Sequence, residues 1–265
     1  MNEFWRATGI LFQAHLKRTF LSRRALISVG LCSLPVLASL LVATVSKFEG
    51  PPPFEAVLHL GWLVQIPFLV LISLIVGSAV VAEEIEDRTI TYLFTRPIPR
   101  ASIVFGRYLA ALVLVLLVLG TEAGLVLRLL STLEGPDGRR IELPDGFQFR
   151  IFSSILLGGA VYSALFAALG ALVKRPVLVG LGYAFLVEAV LGNMPGNSQK
   201  LTVFYYLKSF LLGGNPELLP HFQETLAQQE LATTFGALRG LFAILVISLT
   251  LGAWRLTRRE YVLAA

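Results

Sequence analysis

The sequence is poor in the side chains from which most catalytic and metal sites are built. Its 265 residues include 1 cysteine and 3 histidines, and 15% are charged, whereas roughly a quarter of the residues of a soluble domain are charged. A single cysteine, Cys32, excludes an internal disulfide. The histidines, His15, His59 and His221, lie in three separate segments. We therefore expect no metal site.

Motifs for phosphate binding and hydrolysis are also missing. The sequence has no G-x-x-x-x-G-K-[ST] loop, no H-E-x-x-H pair and no G-x-S-x-G turn. We find no convincing internal repeat, which disfavours a carrier built from inverted repeats. We therefore expect neither a self-contained enzyme nor a bound cofactor.

Apolar residues dominate the chain instead. They make up 55% of it, and the mean hydropathy is +0.75. A helix that crosses a membrane needs about 20 apolar residues, and six runs approach that length, at about 25–46, 60–81, 108–130, 152–173, 177–194 and 238–254. We predict an all-α integral membrane protein in which residues 1–265 form a single domain with six transmembrane helices.

Basic residues are distributed unevenly between the two sides of these spans. With the amino terminus inside the cell, 14 of the 22 Lys and Arg residues fall in inner segments and 8 in outer ones. Positive charge accumulates on the cytoplasmic side of membrane proteins. We therefore expect a multi-pass protein with both termini in the cytoplasm.

A polar stretch, residues 2–24, precedes the first span. At 100° per residue, one face of a helix there would carry Trp5, Gly9, Phe12, Leu16 and Phe20. This pattern predicts an amphipathic helix in the inner membrane interface, with its basic residues toward anionic headgroups. The alternative is an ordinary cytoplasmic extension of the first span.

The densest group of charges, residues 81–107, lies between the second and third spans, and we refer to it as the charged block. Pro97 and Pro99 cannot lie within one continuous helix, because proline lacks an N–H and crowds the preceding turn. The block is therefore predicted to be a helix, a bend and the start of another helix. Its candidate functional residues, from the acids to the bend, are Glu83, Glu84, Glu86, Asp87, Arg88, Thr89, Leu93, Arg96, Pro97, Pro99 and Arg100.

Two acids lie inside the predicted spans, Glu122 in the third and Glu188 in the fifth. Ionisable residues within a membrane are candidates for function. A protonated or hydrogen-bonded glutamate that joins two helices is an alternative interpretation of at least equal weight. The apolar stretch 201–212 that follows the fifth span is too short to cross and contains Lys208, so it predicts a re-entrant or interfacial helix.

Small residues recur every four positions in two of the spans. In the fourth span they are Gly159, Ser163 and Ala167, and in the fifth they are Gly180, Ala184 and Gly192, with Glu188 on the same stripe. Such spacing lets membrane helices approach closely. We expect Glu188 to face protein or a cavity. A general tolerance of apolar helices for Ala and Gly is the alternative.

The charged block resembles the permease subunits of ATP-binding-cassette transporters of the type 2 exporter class. In that family the segment has acids, a Gly-Thr pair, a leucine, a Pro-x-x-Arg turn and a Gly-Lys pair that opens the next span. The residues that occupy this pattern here are Glu84, Glu86, Thr89, Leu93, Pro97, Arg100 and Gly106. Arg88 stands in place of the glycine, and Arg107 in place of the lysine. The six-span layout, the amphipathic helix and the apolar segment after the fifth span extend the likeness over most of the chain.

The resemblance implies a half-transporter in the plasma membrane, by expectation the bacterial inner membrane. It would dimerise with a second copy or a paralogue, contact membrane lipid, and be driven by a separate cytoplasmic ATPase that contacts the charged block. No nucleic-acid partner is expected. Two alternatives remain. One is a scaffold that recruits an ATPase without transporting, and the other is an ion-coupled carrier in which Glu122 and Glu188 are the coupling groups.

Overall fold

The computed structural model describes residues 2–50, 52–86, 99–134, 146–194, 197–213 and 231–258, and nearly all of them are helical. The α-helices in chain order are α1 (Asn2–Phe20), α2 (Arg23–Glu49), α3 (Phe54–Leu58), α4 (Gln65–Glu86), α5 (Arg100–Leu130), α6 (Phe147–Leu172), α7 (Pro176–Gly182), α8 (Val203–Leu212) and α9 (Thr234–Arg258). The predicted all-α membrane fold is confirmed.

Two π-helical segments and two 3₁₀ turns complete the helical part of the residues that the structure describes. The π-helix His59–Leu63 joins α3 to α4, and the π-helix Tyr183–Val190 continues α7. The 3₁₀ turns Leu191–Asn193 and Asn197–Leu201 then lead to α8. Since π-helices are rare and often occur at functional sites, both segments mark regions of interest.

Within the described residues, five helices are long and apolar enough to cross a membrane. They are Arg23–Phe48, Phe54–Ala82, Ala101–Leu130, Phe147–Leu172 and Thr234–Arg258, and they correspond to five of the six predicted spans. The helix of the third span begins at Arg100, earlier than the apolar run, because Pro99 precedes it and the helix accommodates Arg107.

The fifth predicted span, 177–194, differs from a continuous crossing helix. Its apolar helix runs only from Pro176 to Val190. At 1.5 Å per residue that is about 22 Å, which is less than the roughly 30 Å of a bilayer core. The segment is therefore a short helix, followed by the two 3₁₀ turns and by α8.

The short helices α7 and α8 follow one another along α6. Gly180 of α7 lies against Phe166, in the last third of α6. Leu207 of α8 lies against Gly158, nearer the start of α6. At the start of α6, Arg150 donates a hydrogen bond to a carbonyl in the last turn of α8, at 3.1 Å. The contacts thus move from one end of α6 to the other as the chain passes from α7 to α8.

Helix α8 is enclosed by other helices. Eight of its ten residues are buried, α6 and α9 pack against it, and the ring of Trp62 stacks on Phe204 at 5.4 Å between centroids. Lys208 is 1% exposed, and its ammonium lies 5.4 Å from the centre of the Phe204 ring. Helix α8 therefore lies inside the helical body, as a re-entrant segment does, and not on its surface.

Helices α4 and α6 approach closely at two glycines. A Cβ atom on Gly77 of α4 would lie 2.6 Å from the backbone oxygen of Ser163, and one on Gly170 of α6 would lie 2.6 Å from the backbone oxygen of Ser78. Each glycine admits the facing backbone where a larger residue would clash. The pair α4–α6 is therefore held at backbone contact.

Helix α1 packs across the start of α5. A Cβ atom on Gly106 would lie 2.8 Å from the backbone oxygen of Thr8, and the rings of Phe4 and Phe105 meet edge to face at 5.9 Å. The face of α1 that contacts α5 includes Phe4 and Thr8, whereas Trp5, on the predicted apolar face, is 63% exposed. Helix α1 is thus fixed to α5 on one side and presents apolar surface on another.

Replacing Gly77 by Ala should destabilise the fold. The new Cβ atom would meet the Ser163 backbone, which cannot rotate away as a side chain can, and overpacking of this kind costs about 1–3 kcal/mol. Gly124 of α5 is the matched control, since a Cβ atom there would have no neighbour within 4 Å. We expect a lower thermal midpoint in detergent for Gly77→Ala and an equal or higher one for Gly124→Ala. Equal shifts in both variants would contradict the close α4–α6 contact.

Candidate functional site

The charged block is described at its two ends. Glu83, Glu84 and Glu86 belong to the last turns of α4, and Arg100 begins α5 directly after Pro99. The middle of the block lies outside the described residues and contains Asp87, Arg88, Thr89, Leu93, Arg96 and Pro97. The acidic cluster is therefore continuous with α4, and the helix after the second proline is α5 itself.

Glu188 lies where the two short helices meet. Its side chain is 7% exposed, and its two carboxylate oxygens accept the backbone N–H groups of Val203 and Phe204, each at 3.0 Å. The hydroxyl of Thr202 accepts the N–H of Tyr205 at 3.1 Å. These are the N–H groups of the first turn of α8, which have no acceptor within their own helix. Glu188 and Thr202 together therefore cap α8.

The π-helical segment brings Tyr183 to the same carboxylate. The Tyr183 hydroxyl donates to Oε1 of Glu188 at 2.6 Å. In an α-helix, residues five positions apart lie about 140° apart around the axis, whereas the i→i+5 bonding of a π-helix brings them nearer to one face. The buried Tyr162 hydroxyl of α6 also faces this carboxylate, without forming a hydrogen bond of normal geometry.

An apolar pocket of about 270 Å³ adjoins this cluster. It lies between the start of α4 and the π-helical segment, and its described lining residues are Ile66, Pro67, Val70, Leu71, Leu181, Ala184, Phe185, Glu188, Ala189 and Phe204. Glu188 is the one polar residue in that set. The pocket can accept an apolar group, with hydrogen-bonding atoms at one wall only.

Glu122 has different neighbours. It is 3% exposed and lies in α5 near Cys32 of α2, whose thiol is 3.8 Å from the carbonyl of Val118, one turn before Glu122. One of its carboxylate oxygens, Oε1, has no hydrogen-bond partner among the described residues. The structure therefore does not bring Glu122 and Glu188 into one site.

The small residues of the fourth predicted span lie at helix contacts. A Cβ atom on Gly159 would lie 2.7 Å from the side chain of Leu119, so this glycine faces α5. Ser163 faces α4 at Gly77, and Ala167 is fully buried. One helix, α6, thus presents small residues to two neighbours.

The small residues of the fifth predicted span have three different surroundings. Gly180 lies against Leu74 of α4 and Phe166 of α6. Ala184 lines the apolar pocket, and Gly192 lies near Thr202 at the start of α8. This face therefore packs against protein at its ends and borders the pocket between them.

Three residues of the site were not predicted from the sequence. Tyr183 and Tyr162 carry no periodic signal that would place them beside Glu188. Thr202 could have been found, because a threonine directly before an apolar helical run is typical of an N-cap. The partner of Glu188 is backbone, and no residue type marks it in the sequence.

Comparison of the chain with known families finds a match. A family model described as ABC-2 family transporter protein matches residues 59–251. The match covers well over half of the chain, including the charged block, the Glu188 cluster and the apolar pocket. No curated protein matches the chain.

Replacing Glu188 by Leu should loosen the α7–α8 junction, because the N–H groups of Val203 and Phe204 lose their acceptors. Glu188→Gln should have an intermediate effect. Its one carbonyl oxygen replaces the two carboxylate oxygens as an acceptor, and its NH₂ group would face a backbone N–H group, to which it cannot bond. In a double-mutant cycle Tyr183→Phe should cost about 1–2 kcal/mol in the parent and little in Glu188→Leu. The measurement is the free energy of unfolding in mixed micelles.

Leu186→Ala is the control for this series, because Leu186 is exposed and lies outside the cluster. It should change the free energy of unfolding by less than about 0.5 kcal/mol. A Tyr183→Phe effect of the same size in both backgrounds would show that the hydroxyl does not depend on Glu188.

Proposed function

This chain belongs to the ABC-2 family of transporter proteins, and we propose that it is the permease subunit of an ATP-driven exporter whose ATPase is a separate cytoplasmic protein. The observation that carries the proposal is the extent of the family match, which includes the charged block and the helices on both sides of it. The lack of a phosphate-binding loop in this sequence agrees with an ATPase on another chain.

The attachment of the charged block supports a coupling role. At its acidic end the block is part of α4, and at Arg100 it continues as α5. Helix α1 is in backbone contact with α5 at Gly106. A partner that displaces the block would therefore move α4, α5 and α1 together. The separation of acids from bases along the block suits an oriented contact with a charged protein surface.

A dimeric assembly with the substrate route beside α4 and α7 completes the proposal. The apolar pocket next to Glu188 lies on this side of the fold and accepts apolar groups. The second subunit is a further copy of this chain or a paralogue, and the surrounding lipid is that of the bacterial inner membrane. Charge separation, with Arg255 and Arg258 in the last turn of α9, supports a cytoplasmic carboxyl terminus.

We further propose that α7 and α8 together cross the membrane in place of the fifth predicted span, because they run in series along α6. With the five long helices they would give six crossings. Single cysteines in a Cys32→Ala background test this topology at three exposed positions. Thr132→Cys should react with a membrane-impermeant thiol reagent in intact cells. Lys174→Cys and Thr257→Cys should react only after permeabilisation. Labelling of Thr257→Cys from outside would show that the α7–α8 pair does not cross.

Charge removal in the block should uncouple transport from ATP hydrolysis. Glu84→Ala and Arg100→Ala should leave membrane insertion unchanged, because several like charges remain nearby. Both should weaken retention of the ATPase, or its stimulation in proteoliposomes, by about tenfold if each removes a desolvated charge contact. The readouts are the bound ATPase with a phosphate-binding loop, identified by mass spectrometry, and its rate of ATP hydrolysis.

The matched controls remove charges of the same two signs at the opposite end of α5 and just beyond it. They are Arg128→Ala and Glu134→Ala, both at exposed positions, and neither should alter the ATPase readouts. Parent-like values for Glu84→Ala and Arg100→Ala would remove the coupling role. Retention of the ATPase without ATP-dependent movement of any substrate would indicate a scaffold instead.

A further inference from the structure

A small polar pocket of about 40 Å³ lies under the turn between α1 and α2. Its rim is formed by polar residues of the two helices and the turn, namely His15, Arg18, Thr19, Ser22 and Arg24. Its floor is apolar and includes Val80 of α4 and Leu114 of α5. This pocket shares no lining residue with the one beside Glu188.

The charges around this pocket are mostly of one sign. The last turn of α1 carries Lys17 and Arg18, and α2 begins with Arg23 and Arg24 and has no acid in its first turn. The N-terminus of a helix carries a partial positive charge, so basic side chains are unfavourable there and an anion is favourable. The described lining residues include no carboxylate. An anion in the pocket would therefore be stabilised by the side chains of Arg18 and Arg24 and by the N-terminal dipole of α2, whereas the C-terminal dipole of α1 opposes it.

Hydrogen bonds fix the rim. The Ser22 hydroxyl donates to the carbonyl of Thr19 at 2.7 Å and accepts the N–H of Ala25 at 3.2 Å. The N–H of Leu21 donates to the carbonyl of Lys17 at 3.2 Å. Because α1 is also held against α5 at Gly106, Arg18 and Arg24 lie on either side of a fixed turn, and little backbone entropy is lost on binding.

We propose that this pocket binds the phosphate group of an anionic membrane lipid. Arginine guanidinium groups and hydroxyls are the donors that phosphate oxygens prefer. A volume of 40 Å³ holds about three water-sized atoms, which is enough for the two non-bridging oxygens of a phosphodiester group. Basic pockets between helices at the cytoplasmic side of a membrane bind anionic headgroups by this chemistry.

The position of the pocket favours a lipid over a soluble phosphate. It lies at the start of the first long apolar helix, α2, where headgroups meet the protein, and its floor is apolar.

His15, Arg18 and Arg24 also have interactions within the protein, and a guanidinium with five N–H donors can serve more than one acceptor. The competing anion within the chain is the acidic cluster that begins at Glu83, three positions after Val80. This site does not depend on the proposed transport function.

Native mass spectrometry of the detergent-purified chain tests the proposal with three probes: phosphatidylglycerol, phosphatidylcholine and glycerol 3-phosphate. We expect phosphatidylglycerol to bind at least about tenfold more tightly than phosphatidylcholine. Arg18→Gln and Arg24→Gln should each lower its affinity by about tenfold, which is the loss of about 1.4 kcal/mol of charge-assisted bonding.

Lys17→Gln and Arg23→Gln are the matched controls, because these exposed residues are sequence neighbours that do not line the pocket. They should stay within about twofold of the parent.

Each other outcome overturns a defined part of the proposal. Equal losses in all four variants would mean general attraction to a basic surface and no site. Equal binding of the two lipids by the parent would mean that the acidic cluster or another group of the chain already neutralises the pocket. Binding of glycerol 3-phosphate without lipid binding would retain the phosphate chemistry and reject the lipid. Arg24→Lys keeps the charge, so partial recovery with it would separate loss of binding from loss of folding.

Discussion

A helix that breaks inside an apolar body exposes backbone N–H groups that need new acceptors, and the α7–α8 junction meets this need through one carboxylate. Glu188 accepts two N–H groups of the first turn of α8, and Thr202 accepts a third. Without these acceptors α8 could not be buried among α6 and α9 at a tolerable free energy. The stacking of Trp62 on Phe204 and the hydrogen bond from Arg150 depend on α8 being there.

Packing around α8 then depends on how closely the neighbouring helices can approach. Between helices in lipid, close van der Waals contact replaces the hydrophobic driving force. Gly158 admits Leu207 of α8 and Leu69 of α4, while Gly77 and Gly170 bring the backbones of α4 and α6 together. Helix α6 is thus the common surface on which α4, α5 and α8 are arranged, and its small residues set the distances between them.

Features that depend on the length of an apolar run were predicted from the sequence, whereas features that depend on contacts between helices were missed. Runs of apolar residues located five long helices, because crossing length is a local property. The break after Val190 was hidden, since hydropathy averaged over a window does not register a π-helix or a 3₁₀ turn. Helical periodicity put Glu188 toward protein or a cavity, but its partner is the backbone of α8, which the sequence does not mark. The predicted apolar face of α1 is only partly covered by α5. Trp5 is exposed, whereas the backbone of Phe12, on the same predicted face, lies at Gly106 of α5, and this contact is not marked in the sequence.

In the proposed transporter, α4 is the element that joins the charged block to the Glu188 cluster. It carries the acids at its last turns and lines the apolar pocket with Ile66 and Val70 near its first turns. Its 22 residues form a rod of about 33 Å, so a displacement at one end reaches the other. A π-helix precedes α4, and another borders the pocket. π-helical turns are local irregularities in the helical hydrogen-bond pattern. A movement of α4 would therefore deform the helices beside this pocket, and the Glu188 cap would pass that deformation to α8, which packs against α6 and α9.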